Sequence, residues 1–110
     1  MKIMIHGLHI ELTPSIKEHV EEKMESLSAH LDAKHEALAE VRVEVGKETE
    51  HHHKGNVFYA EANLKMGGEF FRATVRNEDL YAAVNEAHSD LERQLHKHKA
   101  KHEHTRETIR

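Results

Sequence analysis

The feature that most constrains this chain is a change of hydrophobic period within residues 67 to 101. Phe71, Ala73 and Val75 alternate with Phe70, Arg72, Thr74 and Arg76, the period of a strand with one face in a core. From Leu80 the period lengthens. Leu80, Val84, Ala87, Leu91 and Leu95 recur every three or four residues, which predicts an amphipathic helix with a continuous apolar stripe. A chain that turns at Gly67-Gly68, runs out as a strand and returns as a long helix has to bury both apolar faces against one core. Asn77 is placed to cap the helix, and Glu78 and Asp79 put negative charge at its N-terminus.

The rest of the chain supplies that core. Ile3 and Ile5 oppose Lys2, Met4 and His6 in a first strand, with Gly7 as a bulge or bend. Thr13-Pro14 starts a helix, Thr13 as N-cap and Pro14 in the first turn, and Ile16, Val20, Met24, Leu27 and Leu31 form its stripe. Its other face carries Lys17, Glu18, Glu21, Glu22, Lys23 and Glu25 as a solvated surface. Residues 32 to 39 form a polar connection with no assigned structure. Val41, Val43 and Val45 make a second strand that Gly46 ends, and residues 46 to 56 form a charged loop containing His51-His52-His53. Phe58, Ala60, Ala62 and Leu64 define a third strand, closed onto the fourth by paired glycines suited to a hairpin turn.

The order is β-α-β-β-β-α. A helix between the first two strands suits a right-handed parallel crossover, and short connections suit an antiparallel meander. The expected fold is therefore α+β, a four-stranded mixed sheet with two helices packed on one face. The other sheet face would expose Tyr59, Phe70, Arg72 and Arg76. Those aromatics fit either a base-stacking platform or ordinary half-buried strand residues, and the strand preference of aromatics favours the second.

A chain of 110 residues suffices for one small core. Residues 1–101 are expected to form the domain and residues 102–110 a basic, His-rich, flexible tail. With no cysteine, neither disulfides nor a thiolate zinc site can form. The opening apolar run is too short for a membrane span, so a cytoplasmic protein without a membrane partner is expected. There is no Gly-rich phosphate loop, no His-Glu-x-x-His pair and no nucleophile motif. A non-enzyme is expected, without cofactor or small-molecule substrate.

The formal charge of −4 argues against simple whole-protein attraction to nucleic acid. That charge is unevenly spread. Residues 88 to 110 hold six Lys or Arg against four Asp or Glu, plus five His, and are the basic pole. Arg93, Lys97 and Lys101 follow at i, i+4 spacing and form a row able to meet successive phosphates. A solvated helix face for Lys97, Lys99 and Lys101 is the less favoured alternative.

Gly67-Gly68, the basic-ended strand, Glu78-Asp79-Leu80-Tyr81-Ala82-Ala83-Val84-Asn85-Glu86-Ala87 and Leu91-Glu92-Arg93-Gln94-Leu95 with its following lysines resemble the ribosome hibernation-promoting factor family, which includes the ribosome-associated inhibitor of translation. Met1-Lys2-Ile3-Met4-Ile5-His6-Gly7 and Glu11 to Val20 extend the likeness, which covers residues 1 to about 101 and fits the short form. The resemblance implies the same fold. It also implies docking to the small ribosomal subunit and its rRNA over the A and P sites, blocking tRNA and mRNA under stress or in stationary phase. Lys23, Arg93 and Lys97 match basic family positions. With Arg72, Arg76, Lys99 and Lys101 they make up the expected RNA-binding set. Ser26, Ala29, Asp90 and His96 stand where relatives commonly carry lysine or arginine, so the basic surface is thinner here. The mixed tail also differs from the acidic extension of the translation-inhibitor branch.

The thirteen histidines open an alternative function, a His-rich metal-binding protein. His51-His52-His53, and His98 with His102 one helical turn apart, have the donor chemistry for Zn²⁺, Ni²⁺ or Cu²⁺. Neither group has an identifiable third ligand of fixed geometry, so no metal site is assigned. Histidine is also the side chain that gains charge between neutral and mildly acidic pH. His88, His96, His98, His102 and His104 lie in the basic segment, and their protonation would restore the cations that His96 and its neighbours lack.

Overall fold

The computed structural model describes residues 1–48 and 57–109, with side chains as far as residue 99. Strands β1 (Lys2–Leu8), β2 (Glu40–Lys47), β3 (Phe58–Met66) and β4 (Glu69–Asn77) form one sheet in the order β1-β2-β3-β4. β1 pairs with β2 in parallel, and the other two pairings are antiparallel. Helices α1 (Pro14–Glu25) and α3 (Leu80–Ile109) cover the sheet; between α1 and β2 lie a 3₁₀ turn at Ser26–His30 and a short helix α2 at Ala33–Leu38. The α+β architecture is as the sequence predicts. The addition is α2, in the stretch without assigned structure. Asp32 starts it by accepting the backbone N–H of His35 at 2.8 Å, a short-range cap for a six-residue helix.

The apolar pattern accounts for the layers. Val41, Val43 and Val45 from β2, Ala60, Ala62, Leu64 and Met66 from β3, and Phe71 and Ala73 from β4 share one core with Val20 and Met24 of α1 and Leu80, Val84, Ala87, Leu91 and Leu95 of α3. Among the described residues no polar or charged one is buried. Small Ala side chains in the middle of β3 let the helices approach the sheet.

Local devices follow the sequence in part. Thr13 Oγ1 accepts the N–H of Ile16 at 3.2 Å, and Pro14 occupies the first turn of α1. Gly67 takes φ +60° in the two-residue turn between Met66 and Glu69, a left-handed conformation suited to glycine. Four expectations need correction. The first helix does not carry its stripe to Leu31: α1 stops at Glu25, Leu27 lies in the 3₁₀ turn and Leu31 is extended. Asn77 does not cap α3: Asp79 does, its Oδ1 accepting the N–H groups of Tyr81 and Ala82 at 2.9 and 3.4 Å, while Asn77 Oδ1 accepts the N–H of Asp79. Gly7 makes no bulge, since β1 stays in register with β2 from Lys2 to Leu8. A Cβ there would lie 2.8 Å from Leu12 Cγ, so packing explains the glycine. Gly46 does not end β2, which runs on to Lys47.

His51, His52 and His53 lie outside the described residues. α3 continues across residue 101, where composition sets the tail apart.

Candidate nucleic-acid interface

α1 and α3 lie side by side and run in the same direction. Position 81 of α3 meets 15 of α1 and 85 meets 19; further along, 88 and 92 meet 26 and 30 of the 3₁₀ turn. The Ser15 and Tyr81 hydroxyls are 3.1 Å apart. His19 Nε2 lies 2.8 Å from Asn85 Oδ1, and its ring meets the Tyr81 ring edge-on with centroids 5.0 Å apart. His88 Nε2 is 2.8 Å from Ser26 Oγ. His30 Nε2 is 2.8 Å from Glu92 Oε2, and the His30 ring packs edge-on against that of His96 at 4.7 Å. This polar seam overlies the apolar core because residues 81, 85, 88 and 92 flank the buried stripe at helical spacing.

The electrostatics of the seam centre on His88 and Glu92. Burial pulls His88 below the ordinary histidine range. Glu92 opposes that shift, while Lys23 and His30 add to it. The hydrogen bond from His30 holds Glu92 below the usual carboxylate range, with His88 and His96 contributing. Lys23 is half-buried and close enough to His88 to act on its charge. At the far end Lys99 lines a cleft with His30, Asp32, His35, Glu69 and His98.

The expected RNA-binding residues do not share one surface. Lys23 and Lys99 belong to the seam. Arg93 and Lys97, each one residue beyond a seam position, lie about 100° further round α3 and are exposed, with Arg93 paired to Asp90 at 2.8 Å. The side chain of Lys101 lies outside those described. Arg72 and Arg76 lie on the opposite sheet face. Arg72 Nε reaches Asn63 Oδ1 at 2.6 Å and Glu61 at 3.5 Å, with its guanidinium 5.4 Å from the centre of the Phe70 ring. Arg76 Nε pairs with Glu48 at 2.7 Å. Of the two aromatics expected there, Tyr59 is half-buried and Phe70 is 55% exposed, so Phe70 rather than Tyr59 offers a ring to solvent.

Sequence reasoning missed His19, His30, Asn85 and Glu92. The signal was present: polar residues beside an apolar stripe on both helices. Which side of each helix faces the other is set by the sheet, and that is not in the pattern. Among the described residues no three His, Asp or Glu side chains form a metal-holding group, and the side chain of His102 lies outside them.

A four-stranded sheet backed by two parallel helices, whose distinctive side chains lie along a helical seam and on an open sheet face, defines an α+β module built around its surfaces. Comparison with known proteins places it more closely. The chain belongs to the Sigma 54 modulation protein / S30EA ribosomal protein family, whose model matches residues 3–103. It is 37% identical over 101 residues to the ribosome hibernation promotion factor of Bacillus subtilis (strain 168), covering 92% of this chain and 50% of that one. It is 31% identical to the ribosome hibernation promoting factor of Pseudomonas putida, covering 92% of this chain and 89% of that protein. The chain thus spans about half the length of the first relative and most of the second. The N-terminal domain of Thermus thermophilus Protein Y superposes with TM-score 0.71 at 26% identity, over 86% of this chain and 96% of that one. A ribosomal subunit interface protein from Coxiella burnetii shares the fold, with TM-score 0.73 at 22% identity over 91% and 99%.

Proposed function

We propose that this protein is a ribosome hibernation factor that binds small-subunit rRNA near the A and P sites and sterically excludes tRNA and mRNA under stress or in stationary phase. The observation that carries this reading is the family match across residues 3–103, which includes all of α1 and most of α3. Two relatives are named for ribosome hibernation. Lys23, Arg93, Lys97, Lys99 and Lys101 supply cations on the helical layer, and Arg72 and Arg76 supply them on the opposite face, as suits a plug surrounded by RNA. Phosphate contacts of this kind position a protein without reading sequence. In this reading residues 1–101 are the binding domain, the tail 102–110 is accessory, and the protein works in the cytoplasm without catalysis, cofactor or small-molecule substrate.

Co-sedimentation with purified small ribosomal subunits, with and without chelator, tests the proposal. Binding that survives chelation and weakens steeply with salt is expected. Binding lost on chelation of transition metals, with Mg²⁺ kept in excess so that the subunit stays intact, would replace it with a metal-dependent function.

A further inference from the structure

We infer that the α1–α3 seam is a proton-loading surface for a polyanion, on which acidification adds positive charge without disturbing the hydrogen bonds that hold the helices together. This regulation rests on the proposed function and concerns the same helical layer.

The geometry fixes which nitrogen carries the proton in three rings. Ser26 Oγ donates its one hydrogen to Lys23 O at 2.5 Å, so toward His88 it can only accept, and His88 Nε2 is the donor at 2.8 Å. His19 Nε2 faces the carbonyl oxygen of Asn85 and His30 Nε2 faces the Glu92 carboxylate, which accept but cannot donate. All three bonds therefore use Nε2–H. That hydrogen is present both in one neutral tautomer and in the imidazolium. Protonation adds its hydrogen at Nδ1, so no bond across the seam has to break.

These three rings bond through Nε2, and among the described residues no side-chain nitrogen or oxygen is both fully buried and without a partner, so none of the three Nδ1 atoms is sealed from solvent. Each protonated ring would gain a donor and a charge there. Between positions 85 and 96, where the four rings lie, the row extends about 16 Å along the helix axis, a length that suits a nucleic-acid backbone and exceeds a single small anion.

The surrounding charges determine how the row responds. Facing His88 are Lys23 from α1, His30 from the 3₁₀ turn and Glu92 from α3. Facing His30 are Glu92 and His96, with Asp32, His35, Glu69, His98 and Lys99 around the adjoining cleft. Facing His19 are Tyr81 and Asn85. The core residues beneath are apolar. Within the row itself Glu92 is the carboxylate set against four imidazoles and Lys23. Phosphates arriving there would favour the protonated rings, so binding and proton uptake are linked and each strengthens the other.

Affinity for purified small ribosomal subunits should be measured at constant ionic strength from pH 7.5 to 6.0. The wild type is compared with a His19→Gln/His30→Gln variant, whose amides can still donate across the seam, while His88, whose burial favours the neutral ring, is left in place. Wild-type affinity should rise on the order of tenfold or more, since each proton taken up contributes about one decade per pH unit. The variant should respond much less. Calorimetry of wild-type binding at pH 6.5 in two buffers of different ionisation enthalpy gives a readout that needs no variant, and should show net proton uptake. Binding with parallel pH profiles, or without proton uptake, overturns this inference alone. No binding by the wild type at any pH overturns the proposed function.

Discussion

The ring of Tyr59 occupies the space above Gly46: a Cβ at residue 46 would lie 2.5 Å from Tyr59 Cε1, and the phenol beyond it donates to Glu44 Oε1 at 2.5 Å. Glycine is required there by an aromatic side chain on the neighbouring strand rather than by backbone conformation. Gly46→Ala should displace the ring, weaken its bond to Glu44 and lower stability by about 1–3 kcal/mol, measured by urea denaturation.

Alkaline titration reads the same contact. Burial, then the bond to Glu44, push the Tyr59 phenol up to about 12. In the unfolded chain the phenol ionises near its ordinary value of 10.0, so this contribution to stability is intact below pH 10 and is lost as pH rises toward 12. Tyr59→Phe should flatten that loss. An unchanged alkaline limb in the variant would show that another group governs it.

Leu91 is fully buried, and Leu91→Ala should lower stability by ~2–5 kcal/mol. Arg93→Glu with Lys97→Glu changes only exposed positions two and six residues further along α3. The double variant should melt close to the wild type while binding small subunits more weakly and with a shallower salt dependence. Equal affinity and slope would remove this row from the interface. Arg72→Glu with Arg76→Glu asks the same of the opposite face and should also weaken binding if RNA surrounds the domain.

Acid stability should report His88. Burial lowers its folded-state pKa from 6.5, so the folded protein favours the neutral ring. The associated stability is present above about pH 6.5 and is lost as pH falls through the lowered folded value. Glu92 is lowered from 4.5 by the bond from His30, and its contribution is lost only as pH falls below that range. Thermal melts from pH 7.5 to 4 should show His88→Gln less sensitive in the upper part of this range and unchanged in the lower part.

The fold was legible wherever one residue type had one physical reason. The alternation at Phe71, Ala73 and Val75, the stripe from Leu80 to Leu95 and the paired glycines each identify an element from neighbours in sequence. Gly7 and Gly46 mislead because their reasons, Leu12 and Tyr59, are packing partners that only the fold brings into contact. Asn77 and Asp79 are both good caps, and the choice falls to the one at which strand geometry releases the chain. For the candidate site, spacing places Arg93, Lys97 and Lys99 on a helix and cannot say that Arg72 and Arg76 would face away from them. The histidines were legible as a composition, while the pairing of His19, His30 and His88 requires two helical segments more than 60 residues apart to lie in parallel.

The parallel pairing of β1 with β2 has a consequence for folding order. β2, β3 and β4 are antiparallel neighbours in sequence order, whereas β1 reaches β2 only after a crossover through α1, the 3₁₀ turn and α2. The meander and α3 should assemble early, with β1 and α1 docking last, because closing the longer loop delays its contacts. Hydrogen exchange should then find β1 and α1 opening at lower free energy than β3. The docking that completes the sheet also creates the α1–α3 seam, so under the proposed function only molecules that had finished folding would present that surface to the ribosome.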